Sequence, residues 1–128
     1  MIQGVFGKNG ELFFEISLIA ADGSDLIENA LFDTGCTDWL VMNVQDIECL
    51  EWTFLREQKR QTAKGLGDFY FYQGTVIFNN QELTIPALGG EEINEILIGL
   101  PWLESRRLIV DRKANILSIN NEQLSMNN

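Results

Sequence analysis

The chain has 128 residues, two cysteines, no histidine and a formal net charge of −10. That length suits one domain over residues 1–128 with a hydrophobic core of its own. No run is long and apolar enough to span a membrane, and the lack of histidine removes His-built zinc sites and every Ser-His or Cys-His catalytic arrangement.

The acidity is uneven. Residues 1–55 carry ten acids and a single base, Lys8, while the remainder carries nine acids and eight bases. A nucleic-acid binder needs a basic face, so none is expected, and the plain reading of the charge is solubility. Met1-Ile2-Gln3-Gly4 lacks the basic start, apolar stretch and cleavage site of a signal peptide. The expectation is a cytoplasmic protein with no membrane partner, in which Cys36 and Cys49 are not a disulfide scaffold. No P-loop is present and no Gly-x-Gly-x-x-Gly follows a strand. If the chain is an enzyme, carboxylates carry its acid–base work, without cofactor or metal.

In chain order, Ile2 to Phe6 reads as a short strand and Lys8-Asn9-Gly10 as a turn, Asn-Gly being a strong hairpin signal. Glu11 to Ala20 is a second strand, Ala21 to Ser24 a turn, and Leu26 to Phe32 a third strand. That strand runs into Asp33-Thr34-Gly35, and the apolar pattern resumes at Trp39-Leu40-Val41-Met42. Asn43 can cap a helix over Val44 to Glu51, with Asp46 three residues on and Val44, Ile47 and Leu50 roughly on one face. Trp52 to Gln61 is extended, and Ala63-Lys64-Gly65-Leu66-Gly67 is a turn. Asp68 to Phe78 is the clearest strand, rich in residues that favour a pleated surface. Asn79-Asn80 turns it back into Glu82 to Leu88, and Gly89 to Glu92 reads as a loop. Ile96 to Gly99 is a short buried strand. Pro101 opens a helix whose C-terminal end Arg106 and Arg107 complement. Leu108 to Val110 and Ile116 to Ile119 form a last hairpin, and 120–128 read as a frayed tail.

The stretch Ala30-Leu31-Phe32-Asp33-Thr34-Gly35 is the candidate site. Burying a carboxylate beside Leu31 and Phe32 is costly unless it is hydrogen-bonded. Thr34 supplies a hydroxyl, and Gly35 lets backbone approach closely. Alone, Asp-Thr-Gly is also ordinary turn composition. Some sixty residues later a second apolar strand runs into Gly99 and a short helix, through Ile96-Leu97-Ile98-Gly99-Leu100-Pro101-Trp102-Leu103.

In that order and spacing the two motifs resemble those of the single-domain, retropepsin-like aspartic proteases, most closely the prokaryotic type. The resemblance runs through most of the chain. It implies a mainly β fold, an acid-protease barrel with one or two short helices and one catalytic lobe per chain. It makes Asp33 the catalytic aspartate, has Thr34 lock the base of the loop through its hydroxyl, and puts Gly35 under the active site. Ile98 and Gly99 would pack beside that loop, and residues 63–67 (Ala63, Lys64, Gly65, Leu66, Gly67) would be the tip of a flap over substrate. Three positions depart from relatives. Cys36 follows the glycine and reads as a small buried hydrophobe; Asp38 adds a carboxylate that could simply face solvent; and Lys64 sits at the flap tip.

Hydrolysis of an amide by carboxylates needs two of them, one as base and one as acid, which share a proton. One Asp-Thr-Gly in a chain too short for two lobes implies a homodimer, with Asp33 of each copy meeting on a two-fold axis. The expected partners are a second copy and a peptide or protein substrate. Two other readings stay open: a non-catalytic dimeric peptide-binding module of the same fold, and an acidic β-barrel interaction protein. Arg56, Lys59, Arg60 and Lys64 also raise the expectation of a positive lid that favours acidic substrates, beside the plainer one of a solvated basic face.

Overall fold

The computed structural model describes residues 1–121. Among these residues eleven strands form two sheets. The first strands are β1 (Ile2–Gln3), β2 (Val5–Phe6), β3 (Leu12–Ile19), β4 (Asp25–Phe32) and β5 (Leu40–Asn43). A helix α1 (Val44–Leu50) follows, then β6 (Thr53–Thr62), β7 (Gly65–Phe78), β8 (Gln81–Gly90) and β9 (Ile96–Ile98). A 3-10 turn over Leu100–Glu104 leads to β10 (Arg106–Asp111) and β11 (Ile116–Asn121).

The small sheet has the order β1-β11-β10 and is antiparallel. The large sheet runs β2-β3-β4-β9-β5-β8-β7-β6, and β3 also pairs with β7. That pairing closes six strands, β3-β4-β9-β5-β8-β7, into a barrel, the mainly β acid-protease architecture. β9 lies between β4 and β5, parallel to the first and antiparallel to the second.

Alternation in β3 builds the core. Phe14, Ile16 and Leu18 point inward and are buried, while Glu15 between them is exposed. Full burial of each such side chain contributes roughly 1.5–3 kcal/mol. Trp102 seals the barrel, packing 4.7 Å from the Phe78 ring and donating its Nε1 hydrogen to the Trp39 carbonyl at 2.8 Å. β5 is buried on both faces, as Leu40, Val41 and Met42 show; a central strand covered on both sides reads as a continuous apolar run. Its Val41 joins Phe71 and Leu88 in a second cluster on the other face of the sheet, with Cys36, Phe69, Ile93 and Leu97 packed against it.

Several local expectations are corrected. The first strand breaks at Gly4, whose N–H bonds the Leu117 carbonyl and whose absent β-carbon would lie 2.6 Å from the Phe13 carbonyl oxygen. Helix α1 keeps its Asn43 cap, which accepts from the Gln45 N–H, but ends at Leu50; Glu51 is its left-handed C-cap at φ 58°. At the 53–78 hairpin only Ala63 and Lys64 turn, and Gly65, Leu66 and Gly67 already belong to β7. Gly89 and Gly90 continue β8 because they make room for neighbours: a β-carbon on Gly90 would meet Phe69 at 2.6 Å. The segment after Gly99 is 3-10, and Arg106 and Arg107 begin β10 instead of capping a helix. Asn120 and Asn121 belong to β11; the rest of the expected tail lies outside the described residues. Asn79 and Asn80 turn as read, both at positive φ (56° and 62°), as a tight two-residue hairpin requires.

Candidate active site

Asp33 is the first residue beyond β4, half-buried, with Thr34 and Gly35 exposed beside it. Three backbone bonds set its position. The Asp33 N–H donates to the Ile98 carbonyl at 2.9 Å, the Cys36 N–H to the Asp33 carbonyl at 3.0 Å, and the Leu100 N–H to the Cys36 carbonyl at 2.9 Å. The Gly35 N–H turns back onto Asp33 Oδ1 at 2.8 Å. A β-carbon on Gly35 would stand 3.2 Å from that same oxygen, so the glycine lets the backbone close over the carboxylate. The loop thus holds an acidic side chain at the end of a core strand, with one oxygen oriented by an amide.

The structure brings Asp33, Gly35, Cys36, Ile98 and Gly99 into one unit. Gly99 is wedged against the loop backbone, and Ile98 is fully buried beneath it. Cys36 is half-buried, its Sγ 3.7 Å from the Asp38 carbonyl. Burial pushes its thiol pKa up, with the carboxylates of Asp38 and Asp33 acting in the same direction. The Thr34 hydroxyl makes no hydrogen bond among the described residues of the chain.

The tip residues stand apart from this unit. Ala63, Lys64, Leu66 and Gly67 line a groove of about 440 Å³ together with Glu92 and Ile93, and Gly65 opens β7 beside it. A larger cavity, about 660 Å³, lies between β4, α1 and residues 94–96 and touches neither Asp33 nor the tip.

The geometry narrows the positive-lid expectation. Lys59 pairs with Asp68 at 2.5 Å and Lys64 faces Glu92 at 3.7 Å. Arg60 grips Asp38 with both guanidinium ends, Nη1 to Oδ2 at 2.8 Å and Nη2 to Oδ1 at 3.0 Å. Arg56 lies over the Phe71 ring, 4.2 Å from its centroid. Three of the hairpin's four bases face acids, while Arg56 keeps its charge over an aromatic face. Sequence reasoning missed the Arg60–Asp38 pair, since nothing along the chain couples two residues on separate segments. The usable signal was the alternation of β6, which sends Arg56 and Arg60 toward the same ring.

Strand order, barrel closure and the position of the Asp33 loop define a retropepsin-like fold. A retropepsin-like aspartic protease from Rickettsia conorii superposes with a TM-score of 0.62 over 95% of this chain and 89% of its own, at 15% identity. The EIAV protease, solved with the inhibitor HBY-793, gives 0.59 over 83% of this chain and 99% of its own, also at 15% identity. The sequence itself matches no family model and no curated protein. The likeness is therefore one of fold, and it extends to a prokaryotic protein.

Proposed function

We propose that the protein is an aspartic endopeptidase that works as a homodimer. The observation that carries this reading is the placement of Asp33: a half-buried carboxylate on a glycine-closed loop, at the end of a core strand of a retropepsin-like barrel. A single carboxylate cannot be both base and acid toward one water. A second copy related by a two-fold axis supplies the other. One Asp33 takes a proton from the water as it attacks the scissile carbonyl, and the protonated Asp33 of the other copy supports the developing oxyanion and then protonates the leaving amine. The Thr34 hydroxyl, expected to lock the base of its own loop, is exposed and has no partner among the described residues, which leaves it available to bond across the axis. The hairpin tip at 63–67 closes over an extended peptide and keeps bulk water out.

The test combines mass and chemistry. Purified protein is examined by analytical ultracentrifugation and incubated with a diverse peptide library across pH, cleavage being read by mass spectrometry. A dimer that cuts peptides supports the reading. A dimer that cuts none at any pH removes the enzyme, and a strict monomer that cuts through Asp33 removes the shared dyad.

A further inference from the structure

Among the described residues, the Arg60–Asp38 pair is the one polar side-chain link between the 53–78 hairpin and the loop that carries Asp33. We propose that Arg60 is a positioning residue whose grip on Asp38 holds the hairpin over that loop before any peptide arrives. The inference rests on the endopeptidase reading for its consequence, though not for its structural content.

The pair is built to hold. Both guanidinium ends are used, and the side chains are only 31% and 15% exposed. A planar fork on a carboxylate fixes direction as well as distance. Each end is anchored in its own element. On the hairpin, the Arg60 guanidinium lies 5.6 Å from the centroid of the buried Phe71 ring. On the loop, the Asp38 backbone carbonyl is pressed against Gly99, where a β-carbon would come within 2.5 Å. Neither end can swing freely, so the bond transmits position.

The competing links are weaker. Lys59–Asp68 joins two strands of the same hairpin. Lys64–Glu92 is 3.7 Å long between side chains more than three-quarters exposed, the kind of pair that contributes little. β6 is the last strand of its sheet, so no further strand steadies the hairpin from outside. Without the Arg60 link, ordering of the hairpin is deferred to substrate binding and weakens it.

The experiment is a double-mutant cycle of Asp38→Asn, Arg60→Gln and the combined variant. Arg60→Lys is added because it keeps the charge and loses the fork. Two readouts are taken: backbone hydrogen exchange of residues 57–68 in the free protein, and KM and kcat on a peptide that the wild type cuts. We expect exchange in the hairpin to speed up about tenfold in each single variant. KM should rise about tenfold with kcat within about twofold, the double variant no worse than either single one, and Arg60→Lys in between. Unchanged exchange, additive losses, or a fall in kcat at constant KM would each overturn the proposal. If the wild type cuts nothing, the endopeptidase reading fails while the exchange cycle still decides whether Arg60 holds the hairpin.

Discussion

Gly99 stands so close to Cys36 that a β-carbon on it would lie 2.3 Å from the Cys36 carbonyl oxygen. Its φ of −128° is open to any residue, so the demand for glycine here is one of space and not of backbone freedom. The obstacle is backbone, which cannot rotate away like a side chain. Gly99→Ala should cost about 1–3 kcal/mol through forced displacement of the 36–38 segment, read as a lower urea midpoint with an unchanged slope. An unaltered midpoint would mean that the loop yields without cost.

Asp33→Asn tests the chemistry and spares the fold. The asparagine carbonyl can still accept the Gly35 N–H, so the loop keeps its closing bond. Peptide cleavage should fall about a thousandfold or more, since neither subunit then offers an acid–base carboxyl. The sedimentation profile should not change. Mixed dimers with one wild-type subunit should also be badly impaired. Retained cleavage by a folded Asp33→Asn dimer would place the chemistry elsewhere.

The two thiols should part company in reactivity. Cys49 is exposed on α1, whereas burial raises the Cys36 thiol and lowers its thiolate fraction at any given pH. In a Cys49→Ala variant, the remaining thiol should react with Ellman's reagent at least about tenfold more slowly than free cysteine at pH 8. It should catch up when the chain is unfolded. The unfolded chain loses this proton first. The stability contribution is therefore present below the ordinary thiol range and declines as pH rises toward the elevated folded value. A native rate equal to that of free cysteine would contradict this account.

Arg106 presents the opposite problem to Arg60. It is 7% exposed, stacked 5.2 Å from the Trp102 ring, and bonded to Gln81 Oε1 at 2.9 Å, while its Nε has no partner among the described residues. Burial pushes its pKa down. Among the described residues no carboxylate pairs with it, and a buried cation left so is costly. Arg106→Met keeps the packing on Trp102 and removes that cost, and Gln81 is exposed enough to be hydrated. Stability should hold or rise by about 1 kcal/mol in thermal unfolding. A loss of several degrees would show that the guanidinium is better satisfied than its contacts suggest.

Much of this architecture was legible because it rests on period and punctuation. Phe14, Ile16 and Leu18 announce a half-buried strand by alternation, and Asn43 announces the start of α1 by its capping oxygen. Asp33 stands out because an acid follows an apolar run. Legibility failed where a residue serves a distant neighbour. Gly89 and Gly90 look like a loop along the chain, yet they thin the strand for Ile47, Val44 and Phe69. Gly65 and Gly67 look like turn material but extend a strand. Asp38 and Arg60 look like solvent charges until two segments are laid side by side. Pro101 marks a helical turn correctly but carries no information on how tightly it winds.

The insertion of β9 between β4 and β5 also sets an order in time. Ile98 pairs with both Phe32 and Leu40 and supplies the carbonyl that receives the Asp33 N–H. During synthesis Asp33 leaves the ribosome long before Ile98 exists. A nascent chain stopped before Ile96 therefore carries its carboxylate on a strand end with no wall behind it. The Asp33 loop takes its final shape only once most of the protein has been made, so a truncated product holds the residue without the site.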